Sequence, residues 1–357
     1  MEYTINSFAM MTPMRYYSSD DERNIKRQRM IENYNNEYIA SCKKDGDWSM
    51  LIHYTKGHNL IRSRSISKVT GEYGNYTEKV PHICEAMDLL PDDTVILAEL
   101  CWDEPGTNAN TVGTILRCLP AKAVERQKDK KLKAVAFDIL MFDGQSLMDE
   151  PYWKRVALLE ELFYSNYNHQ VVNGIYEGNP LQNHPYFYPT EFYHDNFAVA
   201  ARDIIAAGGE GIVIQHKYNT YTPGTRTAWK TLKLKQTLPE MELRVVGTLD
   251  PKKYYEGDCP ETWEYELTDV ETGEQYLVTK PYFHGWKNGI TVELPGGNTC
   301  DVTSGLTDDD RAWLASESAT KLIAAGDVYA VISAMSFNDR GKLRHPSLVR
   351  IRLKTDM

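Results

Sequence analysis

Residues 40–52, ASCKKDGDWSMLI, set two lysines, an aspartate and a glycine between a short apolar lead-in and an apolar run. A lysine pair in a turn ordinarily serves as solvated charge. A lysine that loses its proton can instead attack an electrophile and form a covalent intermediate. Groups that could serve such a nucleophile follow in order. Glu99 stands near the end of TVILAEL, and Phe137 and Asp138 lie inside KAVAFDILMF. Glu210 follows a glycine pair and opens the run GIVIQ. Lys233 and Lys235 alternate in TLKLK, which puts both on one face of a strand. Each also has an ordinary use, as a capping or turn acid, a core phenylalanine or a solvated strand face. Their order along one chain makes the combination specific.

The elements that must position these residues are short. EYIASCKK reads as a strand running into a turn at Asp45-Gly46, and WSMLIHY as a second strand, so the pair is expected to form a hairpin or meander. NLIRSRSI, TVILAEL, KAVAFDILMF, GEGIVIQHK and AWKTLKLK are further strands. YWKRVALLEELFY and NFAVAARDIIAAGG carry apolar residues at helical spacing, the second ending on glycine, and residues 20–36 suit a polar helix. Strands mixed with helices predict an α+β fold with mainly antiparallel sheets. Beyond Pro239 the pattern is almost all short strands with one helix, DDDRAWLASESATKLIAAG, as expected for a small β-barrel of the OB type. The expected domains are 1–238 and 239–357.

The chain has 357 residues, enough for about two domains, with 42% hydrophobic and 25% charged residues. No apolar run reaches the roughly 18 residues that span a bilayer, and no signal peptide is evident, so a cytoplasmic protein without membrane association is expected. Six cysteines with no CxxC pair fit free thiols rather than a disulfide or zinc framework. A net charge of −10 argues against a non-specific nucleic-acid coat. Basic clusters at 122–133 and 340–354 could still hold phosphates.

In order, Lys-x-Asp-Gly, a strand-end Glu, Phe-Asp, Glu-Gly-x-Val and Lys-x-Lys resemble the covalent nucleotidyltransferase superfamily of ATP-dependent polynucleotide ligases and mRNA capping enzymes. NTYTPGTRTAWKTLKLK, VTSGLTDDDR and LRHPSLVRIR look like DNA ligases, closest to the small bacteriophage type. The resemblance runs from about residue 38 to the end. It implies an adenylation (nucleotidyltransferase) domain followed by an OB-fold domain, acting as a monomer that seals 5′-phosphate, 3′-hydroxyl nicks in duplex DNA. The cofactors implied are ATP and Mg2+ (or Mn2+), and the setting is the cytoplasm, the host's if the protein is viral. Lys43 would attack the α-phosphate and carry AMP. Arg64, with Arg62 as the alternative, and Glu99 would contact the ribose. Phe137 would stack on adenine, Glu99 and Glu210 would hold the metal, and Lys233 and Lys235 would contact the α-phosphate. Arg350 and Arg352 would orient pyrophosphate as the domains close about a hinge near Pro239.

An amine attacks only when neutral, and lysine's ordinary pKa is about 10.4. Neighbouring cations disfavour the charged form, so Lys233, Lys235 and a bound metal ion are expected to lower the pKa of Lys43 and to neutralise charge growing on phosphate. Four positions depart from the ligase pattern. Ser41 stands where an acid is common, Trp48 where arginine is, and Gln215 where lysine is, and RIRLKTD lacks the aspartate of the final motif. The rivals are an RNA ligase, a capping guanylyltransferase, and a non-enzymatic OB-fold protein that binds single strands through its aromatic residues.

Overall fold

The computed structural model describes residues 14–15, 35–67, 70–104, 107, 109–164, 170–172, 175–177, 179–224, 230–235, 238–255, 263–338 and 340–356. Most of the helix expected over 20–36, residues 225–229 of the TYTPGTRTAW stretch, and Cys259 lie outside the described residues. The chain divides into two compact units, Met1–Lys235 and Gln236–Met357. Among the described residues no helix is long and apolar enough to cross a membrane.

The first unit holds the strands Met14–Arg15 (β1), Tyr38–Lys43 (β2), Asp47–Thr55 (β3), His58–Ile66 (β4), Tyr73–Asn75 (β5), Thr94–Cys101 (β6), Lys133–Phe142 (β7) and Gln145–Ser146 (β8). Gln170–Val172 (β9), Ile175–Glu177 (β10), Phe187–Pro189 (β11), Phe192–Tyr193 (β12), Gly211–His216 (β13) and Thr231–Lys235 (β14) follow. One sheet has the order β1-β14-β13-β2-β12 and a second β11-β7-β6-β3-β4-β5, with β8 beside β7. All described pairs in these sheets are antiparallel except β1–β14 and β11–β7. The α+β class with mainly antiparallel sheets is as the sequence predicts.

The central strands are apolar on both faces because both faces are covered. Leu51, Ile61 and Ile96 join the cluster that includes Ile83, Val112 and Leu159 of three helices, while Met50, Ile52 and Leu97 form a separate cluster on the other side. Fully burying each such side chain contributes about 1.5–3 kcal/mol. Behind the first sheet, Ala40, Ile212, Ile214 and Leu232 pack against Phe197 and Ala201 of the helix Phe197–Ala206.

The expected β2–β3 hairpin or meander does not form. β2 pairs with β13 and β12 in one sheet, whereas β3 pairs with β4 and β6 in the other. Residues 44–46 therefore carry the chain from sheet to sheet. Gly46 makes that step because a Cβ there would lie 2.2 Å from the Leu100 carbonyl oxygen on β6. Asp45 fixes the same link by accepting a hydrogen bond from the Ala109 backbone N–H, 3.1 Å away, at the start of the helix Ala109–Leu116.

In the second unit a five-stranded antiparallel sheet runs Thr299–Val302, Gly289–Glu293, Met241–Leu249, Val328–Ser333, Ser347–Leu353 in spatial order. Its core includes Val245, Ile290, Val292, Leu314, Val328 and Ile332. The single helix expected over 308–326 is two, Asp308–Leu314 and Glu317–Ala325. Ser316 separates them: its side chain caps the second helix by accepting from Ala319 N–H at 3.1 Å, so its backbone is extended, not helical.

Candidate active site

Register gathers the lysines on one face of the first sheet. Gly211 on β13 pairs with Lys43 on one side and Lys235 on the other, and Val213 pairs with Ser41 and Lys233. Paired residues share a face, and residues two apart on a strand do too, so Lys43, Lys233 and Lys235 project alike. The opposite face is the apolar one that carries Ile212 and Ile214. Gly211, at φ +135°, must be glycine: a Cβ would lie 2.2 Å from the Leu234 carbonyl oxygen. That close approach brings β13 and β14 together under the lysines and sets Glu210 at the strand's start.

Lys43 Nζ forms an ion pair with Glu210, whose side chain is only 7% exposed. Glu99 reaches the same place from β6, and its carboxylate accepts a hydrogen bond from Gly46 N–H at 3.2 Å. Burial alone would lower the pKa of Lys43. Glu210 and Glu99 together outweigh it, so the ammonium is held protonated above the ordinary lysine range. In the protein alone, without a metal ion, Glu210 and Glu99 thus reverse the lowering of Lys43 expected from its cationic neighbours. The lowered amine is Lys233, brought down to about 8 by burial and then by Lys43 and Arg64. Burial, reinforced by Glu210, pushes Glu99 up to about 7 despite the pull of Lys43.

Lys44 points the other way. It pairs with Asp103 at 2.8 Å and Glu191 at 3.0 Å, and Asp103 also accepts a hydrogen bond from Tyr188 Oη at 2.7 Å. Burial opposes its charge, but these partners hold its pKa well above the usual range. The sequence reading named none of Asp103, Tyr188 or Glu191, because nothing in their spacing marks them as partners of Lys44.

The second sheet supplies the facing side. Trp48 pairs with Glu99, and one step beyond the Ser49–Ser63 pair it lies level with Arg64, so Arg64, Trp48 and Glu99 form one row across β4, β3 and β6. Arg64 is exposed and its charge is felt by Lys233. Arg62 sits one row deeper, wholly buried, with its guanidinium 4.1 Å from the centre of the Tyr73 ring and no hydrogen-bond partner for its three nitrogens among the described residues. Phe137 is half-buried on β7 and packs against the cluster of Met50, Leu97 and Leu140, with Trp48 and Leu60 beside the same cluster. Its neighbour Asp138 has a structural use: it forms a buried two-pronged ion pair with Arg155, at 2.8 and 3.0 Å. A charged residue on the apolar stripe of Tyr152, Val156 and Leu159 was the sequence signal for that pair.

Two of the departures from the ligase pattern are neighbours. Ser41 pairs with Val213, and Gln215 is two residues further along β13 on the same face. Where an acid and a lysine are common, this chain has two neutral polar residues on a diagonal of about 7 Å. Arg350 and Arg352 belong to the second unit, where Arg350 is exposed and Arg352 pairs with Glu242 at 3.1 Å.

The family model described as the ATP dependent DNA ligase domain matches residues 23–235, which include every residue named here on the two sheets. The chain is 27% identical over 215 residues to the DNA ligase of Thermococcus fumicolans, covering 59% of this chain and 34% of that protein. With the DNA ligase of Methanothrix thermoacetophila it is 29% identical over 252 residues, covering 68% and 39%. The chain thus spans well under half the length of these two relatives. A solved structure from a study of minimal-scaffold DNA binding by Lig E DNA ligases has a TM-score of 0.58 at 16% identity, covering 96% of this chain and 99% of that one. Another, Pmar-Lig_Pre, has a TM-score of 0.60 at 17% identity, covering 96% and 67%. These structures share the fold. The match over residues 23–235, more than half of the chain and all the strands that bring Lys43, Glu99, Glu210 and Lys233 together, makes this chain a member of the ATP-dependent DNA ligase domain family.

Proposed function

We propose that the protein is an ATP-dependent DNA ligase that seals 5′-phosphate, 3′-hydroxyl nicks in duplex DNA. The observation that carries this reading is a half-buried lysine, Lys43, in contact with Glu210 and flanked by Lys233 on the same sheet face. The Nζ lone pair forms a P–N bond to the α-phosphorus of ATP as the P–O bond to pyrophosphate breaks. Glu210, already bonded to Nζ, accepts the proton. Lys233 and Lys235 stabilise the charge on the phosphoryl oxygens. AMP then passes to the 5′-phosphate of the nick, and the 3′-hydroxyl displaces it.

Arg64 rather than Arg62 is the nucleotide contact, since it is exposed and level with Glu99 while Arg62 is sealed beneath Tyr73. Phe137 offers its ring to adenine. Glu99 and Glu210 would hold a divalent cation such as Mg2+, which neutralises phosphate charge when bound. Two carboxylates suit that ion, which takes its remaining ligands from phosphate and water. We read the second unit as an OB-fold: five antiparallel strands, curved by bulges at Val245/Gly247 and Val331/Ile332, with helices inserted before the fourth.

The test is sealing of nicked all-DNA, all-RNA and hybrid duplexes with ATP and magnesium. Sealing of the DNA nick is expected. Sealing of RNA alone would point to an RNA ligase, and adduct formation from GTP but not ATP to a capping enzyme.

A further inference from the structure

The side chain of Lys44 is only 13% exposed, and its ammonium is shared between Asp103 at 2.8 Å and Glu191 at 3.0 Å. Successive side chains of an extended chain leave by opposite faces. Lys44 is therefore turned away from a nucleotide on the Lys43 face and can act there only through the backbone. The turn after Lys43 is held residue by residue. Lys44 pairs with Asp103, Asp45 accepts from Ala109 N–H at 3.1 Å, and Gly46 N–H donates to Glu99 at 3.2 Å. All three partners stand on the stretch that ends β6 and opens the next helix. Asp103 takes φ +50°, a left-handed backbone that few residues other than glycine adopt. The link from β11 in the second sheet to β12 in the first runs alongside this turn. There Cys42 N–H donates to the Glu191 carbonyl oxygen at 3.0 Å, and Thr190 Oγ1 donates to the Cys42 carbonyl oxygen at 3.1 Å. Thr190 N–H donates to Ala136 on β7 at 2.7 Å. Lys44, on one crossing between the sheets, is thus tied to Glu191 on the other, and Tyr188 on β11 steadies Asp103 at 2.7 Å.

We infer that Lys44 and Asp103 are positioning residues for the attack of Lys43: their ion pair fixes the turn, and with it the Lys43 backbone, against the second-sheet row of Arg64, Trp48 and Glu99. Lys43 stands on the first sheet and that row on the second, so the reach from amine to α-phosphate depends on how firmly the two sheets are joined where the turn crosses between them. The inference rests on the ligase reading and deepens it. It separates two functions within one turn, a lysine that reacts and a neighbouring lysine that holds it in place.

The experiment measures kcat and KM for Lys43 adduct formation from ATP in Lys44→Met, Asp103→Asn and the double variant, at a temperature where circular dichroism shows each folded. Each single variant should lose roughly 10-fold in kcat with KM little changed, because misplacing an attacking group by about 1 Å can cost about 100-fold. The double variant should be no slower than the slower single one, since both cut the same tie. Lys44→Arg keeps a charge for both carboxylates and should recover most of the rate. Should Lys44→Met or Asp103→Asn fail to fold, Tyr188→Phe removes only the hydroxyl that steadies Asp103. It should lower kcat by roughly 2- to 10-fold, the worth of one hydrogen bond. An unchanged kcat in the folded variants overturns the inference, because a merely structural tie would move the melting temperature alone. A raised KM at unchanged kcat overturns it too, as do losses that multiply in the double variant. These results leave the ligase reading standing, because the adduct still forms. Absence of any adduct in the unaltered protein overturns both.

Discussion

At the scale of single residues, the site is a balance between carboxylates and amines. Glu99 illustrates it. Its pKa is raised from 4.5 to about 7, mainly by burial. A carboxyl whose folded pKa lies above its ordinary value costs stability once the pH passes that value, and the cost grows until the folded pKa is reached. Glu99→Gln should therefore melt higher than the unaltered protein at pH 8, with the gain shrinking as the pH falls from 7 towards 4.5. Thermal melts of the ligand-free protein at pH 5 and pH 8 check this, and an equal gain at both would contradict it. The two lysines of the KKDG turn should also separate cleanly. Lys43→Ala should form no adduct with ATP. Lys44→Ala should still form one but lose about 2 kcal/mol of stability, the order expected for hydrogen bonds to charged groups, as denaturant unfolding would show. Loss of the adduct at both positions would mean that Lys44 also takes part in the chemistry.

At the scale of elements, the strands around the site were legible in the sequence, and their partners were not. Lys133–Phe142 is the strand that KAVAFDILMF predicts, and Lys233 and Lys235 share a face as their spacing requires. Period and propensity are local, however, whereas sheet membership depends on residues far away, so the β2–β3 hairpin was the natural but wrong expectation. The same limit applies to Asp138. Beside Phe137 it reads as part of a site, but its buried partner, Arg155, comes from a helix 17 positions on. Asp138→Ala should cost about 3–5 kcal/mol, because it strands a buried guanidinium. Denaturant unfolding measures this, and a loss within experimental error would show that Arg155 finds another partner. Gly46→Ala should destabilise by about 1–3 kcal/mol through overpacking against β6, and should lower adduct formation more than Lys44→Ala does because it displaces the turn that carries Lys43.

At the scale of the whole molecule, the chain divides into two compact units after Lys235. The described core clusters respect that division. Those containing Ile96, Met50, Ala40 and Ile39 lie within the first unit, and the one containing Val292 lies within the second. A fragment ending after Lys235 should therefore unfold cooperatively by itself, yet fail to seal nicks. Calorimetry and a sealing assay test the two halves of that statement. What neither patterning nor composition could supply was the charge state of Lys43, because that depends on Glu210 meeting it across 167 positions of chain. The most direct test of the account is mass spectrometry of the intact, then digested, protein after incubation with ATP and magnesium. It predicts one added adenylate, mapped to Lys43 and absent in Lys43→Ala. An unchanged mass, or an adenylate on any other side chain, would contradict it.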